Sequence, residues 1–358
     1  MKNKTALIIS GVGWNETWQR HQTNAMLLVN MGFQVDYING VKTSKPTLNK
    51  IFNKLKGVFK KKEVLSTKNR SDERINIIPS YFIPPLGFFS KIINKIIYKM
   101  YYKDKLLNSY DVVIYYVPVD VYSDFNQICI YKIYDCVRAF KSWGGYSQSL
   151  YENEEMICKT VDKIICDSFF IKDRYLSNYD VEQLIPYNEY NNKNITKPKS
   201  SIISRVCYFG SVSDHIDVNL LNLLSDHYQV HIWGKIDPSI SLSNKIKYHG
   251  YISDQDKLFS EINENSDAIL IPYIGNMDGV FPAKLISSFS LNIPVFTSKF
   301  YDSIKMNNIL YVYEDYDSLI SMLENFNYEE YQKNNTDRVL LLEQSSEYFE
   351  KFKNIILR

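Results

Sequence analysis

Residues 268–296 read AILIPYIGNMDGVFPAKLISSFSLNIPVF, and this stretch decides how the rest of the chain is understood. Ala268, Ile269, Leu270 and Ile271 form a short apolar run closed by Pro272, as a buried strand of a parallel sheet would be closed. Residues 273–281 make a polar, glycine-punctuated loop at the carboxyl edge of that strand, where open α/β sheets bind ligands. Pro282 suits the first turn of a helix, Lys284 lies just inside it, and residues 294–298 begin another strand. A lysine in a first helical turn opposes the macrodipole, which favours anions there. The opposition disappears when a phosphate occupies that end, held by free N–H groups and by the Lys284 ammonium. A solvated lysine near a helix start is the plainer alternative.

Working outward, the same alternation of strand and helix fills the chain. Strand-like runs fall at 7–10, 35–39, 76–79, 112–117, 128–134 and 163–166, and again at 205–209, 230–233, 246–248, 268–271, 294–297 and 310–313. Between the two sets lies NEYNNKNITKPKSS, residues 188–201, which has few apolar positions and reads as a linker. A length of 358 residues suffices for two cores. The expected class is therefore α/β, with two doubly wound, Rossmann-like domains facing each other across a cleft. The expected boundaries are 1–190, a linker at 191–201, a second domain over 202–340, and a terminal helix at 341–358 returning toward the first domain.

The net charge of +2 conceals a division. Residues 1–200 hold 29 Lys and Arg against 19 Asp and Glu, a balance of +10, and residues 201–358 hold 13 against 21, a balance of −8. Such asymmetry points to domains that meet different partners. In the basic half, residues 42–62 combine eight lysines with Ile51, Phe52, Leu55, Val58 and Phe59 at helical spacing. Residues 90–103 repeat the design, with Ile92, Ile93, Ile96, Ile97 and Met100 beside Lys91, Lys95, Lys99 and Lys103. Between them, YFIPPLGFF is an apolar loop. Two basic amphipathic helices flanking such a loop imply contact with an anionic membrane surface. The alternative is that both pack on the sheet with solvated lysines. Nucleic acid is the weaker partner, since no recognised binding module accompanies the lysines. The five cysteines form no C-x-x-C pair and read as reduced core residues. With no signal-peptide pattern and no apolar run near the ~20 residues that span a bilayer, a cytoplasmic protein is expected.

Candidate site residues gather at strand ends. The first βα turn is Gly11-Val12-Gly13-Trp14, followed by Trp18, Arg20, His21 and Gln22. Glu16 stands where a dinucleotide fingerprint needs its third glycine, which argues against a nicotinamide cofactor. Trp14 and Trp18 could offer apolar faces to a sugar or lipid acceptor and Arg20 could meet its phosphate, or the tryptophans could simply pack. Asp135, in DCVR with Arg138, is placed for general-base work on an acceptor hydroxyl, or else caps a helix or pairs with Arg138. In the second half, Gly210 and Ser211 join a strand to a helix and suit a phosphate cradle. Trp233-Gly234 and Gly250-Tyr251 end two further strands and could flank a base and ribose, whereas His231 reads as an ordinary strand histidine. Asp254-Gln255-Asp256 is literally a D-x-D, but before KLFSEI it reads better as a helix N-cap than as a metal site.

The series YFGSVSD, VHIWGK, KYHGYIS, SDAILIPY and FPAKLISSFSLNIPVFTS, in that order, resembles the donor half of GT-B glycosyltransferases. Together with W-Q-R-H-Q and I-Y-D-C-V in the first half, it looks most like bacterial exopolysaccharide enzymes such as the xanthan glucuronosyltransferase and the teichuronic-acid transferases. The resemblance implies a metal-independent, inverting sugar transfer from a UDP-linked nucleotide-diphospho-sugar to a lipid-linked oligosaccharide, with no other cofactor. It implies donor contacts from Gly210, Ser211, Trp233, Gly234, Tyr251, Tyr273, Ala283, Lys284 and Ser287. It implies acceptor contacts from Gly13, Trp14, Arg20, His21 and Arg138, with Asp135 as the base. Ser287 stands where many relatives carry a ribose-binding Glu, and Arg138 where an acid is common after D-C-V. The alternatives are a nucleotide-sugar epimerase of the same fold and a non-catalytic sugar-nucleotide-binding protein.

Overall fold

A computed structural model describes residues 4–16, 18–44, 72–187, 202–282, 284–333 and 335–358. They form two compact units, one of Met1–Asp167, Ile171–Gln183 and Phe352–Arg358, the other of Ser168–Phe170 and Leu184–Lys351. Most of the first basic segment, the tract at 188–201, and Ala283 lie outside the described residues.

The first unit is built on seven strands: β1 Lys4–Ile9, β2 Phe33–Asn39, β3 Ile75–Pro79, β4 Tyr110–Tyr115, β5 Cys129–Cys136, β6 Lys163–Cys166 and β7 Val181–Gln183. Their spatial order is β3-β2-β1-β4-β5-β6-β7, and every pairing is parallel. Helices cover such a sheet on both faces, so its central strands read as continuous apolar runs; Ala6, Leu7, Ile8 and Ile9 of β1 are fully buried. The order reverses between β1 and β4, which makes the loops after those strands the natural ligand edge. The short edge strand β7, VEQ, has one buried residue and lacks the apolar run by which the others are recognised.

The second unit carries β8 Arg205–Phe209, β9 Gln229–Trp233, β10 Lys247–Gly250, β11 Ala268–Ile271, β12 Val295–Ser298 and β13 Tyr311–Tyr313, in the order β10-β9-β8-β11-β12-β13. Its pairings are also all parallel. The reversal here falls between β8 and β11, so the ends of those two strands form this unit's ligand edge. Two apolar clusters sandwich the sheet, and Tyr273 packs against both.

The helix Phe88–Ile97 continues through a π-helical turn, Tyr98–Tyr102. Its inward side is polar. Asn94 accepts from the Ile83 N–H at 2.9 Å and donates to the Ile83 carbonyl at 2.9 Å and to Asp120 at 2.8 Å. Ser90 accepts from the Leu86 N–H at 2.8 Å, and the Tyr102 hydroxyl donates to the Pro79 carbonyl at 2.8 Å. The helix packs on the body through Ser90, Asn94, Tyr98 and Tyr102, with its lysines solvated and most of its aliphatic residues exposed as well. Among the described residues no helix is long and apolar enough to cross a membrane.

Candidate functional site

At the switch point of the second unit, Phe209 ends β8 and Gly210 turns away with φ 128°. That left-handed conformation favours glycine. A second glycine, Gly234 at φ 141°, lies so close that a Cβ there would be 1.9 Å from the Gly210 carbonyl oxygen. The two turns interlock further: the Gly210 N–H donates to the Trp233 carbonyl at 2.9 Å and the Gly234 N–H to the Gly250 carbonyl at 2.8 Å. The Gly210 N–H is thus committed to a backbone partner. Ser211 is exposed beside it.

Lys284 lies in the space that the missing side chain of Gly210 leaves. It opens a seven-residue helix, Lys284–Ser290, and its Nζ lies 3.0 Å from where a Gly210 Cβ would be. The ammonium is 4.0 Å from the ring centre of Tyr208, 5.5 Å from that of Tyr273 and 5.9 Å from that of Phe209. It is thus half-buried, with its ammonium held among aromatic faces. Burial pushes it down to about 7, although the Tyr208 face favours the charged form. No ion pair involves Lys284 among the described residues. The Tyr208 hydroxyl donates to the Ser211 carbonyl at 2.9 Å, which fixes the ring beneath the ammonium. Burial raises Tyr273 to about 12, so its hydroxyl stays a donor. Ser287, one turn on from Lys284, is half-buried.

Other residues expected on the donor side are engaged differently. The Trp233 ring is buried, stacked 4.3 Å from His249, with its Nε1 donating to Glu261 at 3.0 Å. It supports the sheet, and the neighbouring Gly234 is buried too, its carbonyl accepting from the Tyr248 hydroxyl at 2.9 Å. His231 is an interior strand histidine, its Nδ1 3.0 Å from His249 Nε2. Tyr251 is 53% exposed, with the Lys235 ammonium 4.8 Å above its ring. Asp254 caps the helix Gln255–Asn265 by accepting from the Lys257 N–H, as its sequence context implies.

The first unit gathers a buried polar cluster at its own switch point. Asp135 stands inside β5, one residue before its end, and is fully buried. Arg20, at the start of the helix Arg20–Asn30, donates Nε to Asp135 Oδ2 at 2.8 Å, and its Nη1 is 3.9 Å from Asp167. Asn24, one turn along that helix, donates to the same oxygen at 3.3 Å and to the Tyr116 hydroxyl at 2.7 Å. Oδ1 of Asp135 is buried without a hydrogen-bond partner. Burial raises the Asp135 carboxyl to about 6; Arg20 opposes the shift and Asp167 adds to it. A carboxylate anchored at one oxygen, bare at the other and titrating near neutrality has the form of a general base.

The neighbouring residues are mostly internal. His21 is buried, stacked on Tyr116 at 3.8 Å and 2.8 Å from Ser10 Oγ through Nδ1. Burial pushes it down to about 3, so it is neutral and serves the interior. Trp14 is buried edge-on to Trp18 and Tyr37, and its N–H donates to Asn39 at 2.5 Å. Gly13 donates its N–H to Glu16 at 3.1 Å, so the residue that breaks the dinucleotide fingerprint also closes that turn. Arg138 does not pair with Asp135: it is exposed, bonded to the Tyr146 hydroxyl at 2.8 Å and 5.0 Å over the Trp143 ring. Tyr208, Asn24, Tyr116 and Asp167 join these two clusters without having been singled out in the sequence. The one signal for them was position, since Tyr208 and Asp167 lie at the carboxyl ends of β8 and β6. Among the described residues no three His, Cys, Asp or Glu are grouped to hold a metal.

Neither protein-family models nor curated proteins provide a match to the chain. Solved structures do. WaaB, a lipopolysaccharide outer core galactosyltransferase, aligns over 99% of each chain with 16% identity and a TM-score of 0.62. HepE of Anabaena, solved with UDP and glucose, aligns over 99% of this chain and 97% of its own, with 10% identity and a TM-score of 0.61. The chain has the GT-B fold. TarM of S. aureus, solved with UDP and alpha-GlcNAc-glycerol, aligns over 99% and 98% with 12% identity and a TM-score of 0.51. This likeness is one of fold and covers both sheets of the present chain.

Proposed function

We propose that the chain is a glycosyltransferase that moves a hexose from a nucleotide-diphospho-sugar to a lipid-linked oligosaccharide in bacterial surface-polysaccharide synthesis. The observation that carries this reading is Lys284, a cation held among aromatic rings at the ligand edge of its sheet with no ion pair among the described residues. Such a group is stabilised by an arriving anion. A diphosphate beside Gly210 and Ser211 supplies it, and the likeness to HepE and TarM, both solved with UDP, suggests the uridine nucleotide. The second unit then holds the donor, with Tyr273, Tyr251 and the Gly234 backbone around it, and the basic first unit holds the acceptor.

In the reaction, an acceptor hydroxyl oxygen bonds to the anomeric carbon as the bond from that carbon to the diphosphate breaks. The hydroxyl proton passes to Asp135, and the bond's electron pair leaves with the diphosphate, whose charge Lys284 offsets. One direct displacement inverts the anomeric centre. Arg20 and Asn24 hold the base through Oδ2, leaving Oδ1 for the proton. No cofactor beyond the donor enters these steps. The closer resemblance to the xanthan and teichuronic-acid enzymes rests on the runs around Arg20 and Asp135, and it supports a reading in which the enzyme works at the cytoplasmic face of an anionic membrane.

A second reading of Asp135 is favoured by its complete burial against Arg20: the carboxylate is an internal anchor for the arginine. Incubating the protein with UDP-sugars and extracted lipid-linked acceptors, and resolving the glycosylated lipid, tests the transferase. Asp135→Asn should abolish transfer and spare donor binding. Transfer at the parent rate would leave Asp135 as an anchor only, and donor binding with no turnover on any acceptor would turn the reading into a sugar-nucleotide-binding protein.

A further inference from the structure

The helix Phe88–Ile97 and its continuation Tyr98–Tyr102 carry their polarity the wrong way round for a helix packed on a sheet. A helix covering a core turns its apolar stripe inward. Here Ser90, Asn94, Tyr98 and Tyr102, spaced by four, face in. Facing out are Phe88 at 73% exposure, Phe89 at 79%, Ile96 at 51% and Met100 at 69%, with Ile92 and Ile93 at 44% each. The preceding loop extends the patch through Tyr81 and Leu86, at 51% and 46%. Contiguous apolar surface of this kind marks an interaction site.

Charge identifies the occupant. Lys91, Lys95, Lys99 and Lys103 are all exposed, and residues 88–103 contain no acid. A second copy docked here would bring another lysine row against this one. Residues 45–71, the other apolar and basic segment of the first half, are lysine-rich as well. An anionic lipid surface complements both features, since apolar side chains enter the acyl boundary while ammonium groups remain with the phosphates. We propose that this helix seats the protein on an anionic bilayer, with Phe88, Phe89 and the isoleucines below the headgroups and the lysine row level with them. The hydrogen bonds of Asn94, Ser90 and Tyr102 hold the helix to the body during insertion, so the membrane meets a preformed surface. This deepens the functional reading by giving its membrane partner a seat, yet it stands on different residues.

The test is flotation of the full chain with vesicles of phosphatidylcholine alone or mixed with phosphatidylglycerol. The parent should float with the anionic vesicles. Phe88→Ser with Phe89→Ser should lower its partition at least about tenfold, given roughly 1.5–3 kcal/mol for burying one large apolar side chain. Both positions are mostly exposed, and an unchanged melting curve will show that the variant folds. Replacing Lys91, Lys95 and Lys99 with Gln should remove the preference for anionic lipid. Flotation of the Ser variant equal to the parent's, or a parent that binds neither vesicle but forms a dimer the Ser variant loses, would overturn the proposal. Calorimetry with UDP-sugars separates the two readings: vesicle binding without donor binding removes the transferase and leaves the membrane seat.

Discussion

Replacing Lys284 with Met removes the ammonium and keeps most of the stem. Around it the structure offers the rings of Tyr208, Tyr273 and Phe209 and no ion pair among the described residues. Methionine suits such an aromatic cage, and loss of a half-buried cation without an ion pair spares the fold, so the melting temperature should hold or rise. Binding should move the other way. A hydrogen bond to a charged group contributes roughly 1.5–3 kcal/mol, so a nucleotide-diphospho-sugar should bind about 10- to 150-fold more weakly. The pH dependence follows from the same group. Its folded value, near 7, lies below the ordinary lysine value, and a diphosphate raises it again. Parent affinity should therefore fall as pH rises above about 7, with roughly half a proton taken up on binding at pH 7. Lys284→Met should abolish both effects. Titration calorimetry at pH 6, 7 and 8, in buffers of different ionisation enthalpy, measures affinity and proton uptake together. Unchanged affinity in the variant, or a parent affinity indifferent to pH, would refute the argument that this lysine grips phosphate.

The acid limb of transfer should reflect Asp135, whose carboxyl burial raises to about 6: a base must be ionised, so the rate should climb through that pH and then level. In Arg20→Gln the limb should move to higher pH, because the guanidinium opposes the shift; a limb that stays put separates Arg20 from the base. Gly234→Ala should destabilise the second unit by about 2–4 kcal/mol, since the new Cβ meets the Gly210 carbonyl oxygen and the backbone there is left-handed. A melting curve like the parent's would mean that the two turns can separate.

The parallel sheets were legible because their strands are buried on both faces, and runs such as ALII in β1 and AILI in β11 leave little else for the chain to form. Strand β7 was not, because an edge strand of three residues gains its place from its neighbour β6 and carries no pattern of its own. At the candidate site, Lys284 stood out in the sequence by the sign of its charge at a helix start. Its cage was not: Tyr208 comes from a strand 76 positions away, and only the fold places the two together. Spacing also suggested Arg138 as the partner of Asp135, whereas the guanidinium that reaches it comes from Arg20, 115 residues upstream. Amphipathic spacing located the helix at residues 90–103 but could not say which side faces in, since that depends on Asn94 finding Ile83 and Asp120.

The chain's last seven residues, Phe352–Arg358, belong to the unit that its first residues build, and the short piece Ser168–Phe170 belongs to the other. Neither half of the protein can therefore be obtained by cutting the gene once. A fragment ending near residue 187 would lack Phe352, Ile355 and Ile356, all buried, and would expose the apolar surface they cover. Ribosomal order adds a further consequence: the unit begun first is not complete until the segment after Lys351 has followed the whole of the other unit out of the exit tunnel.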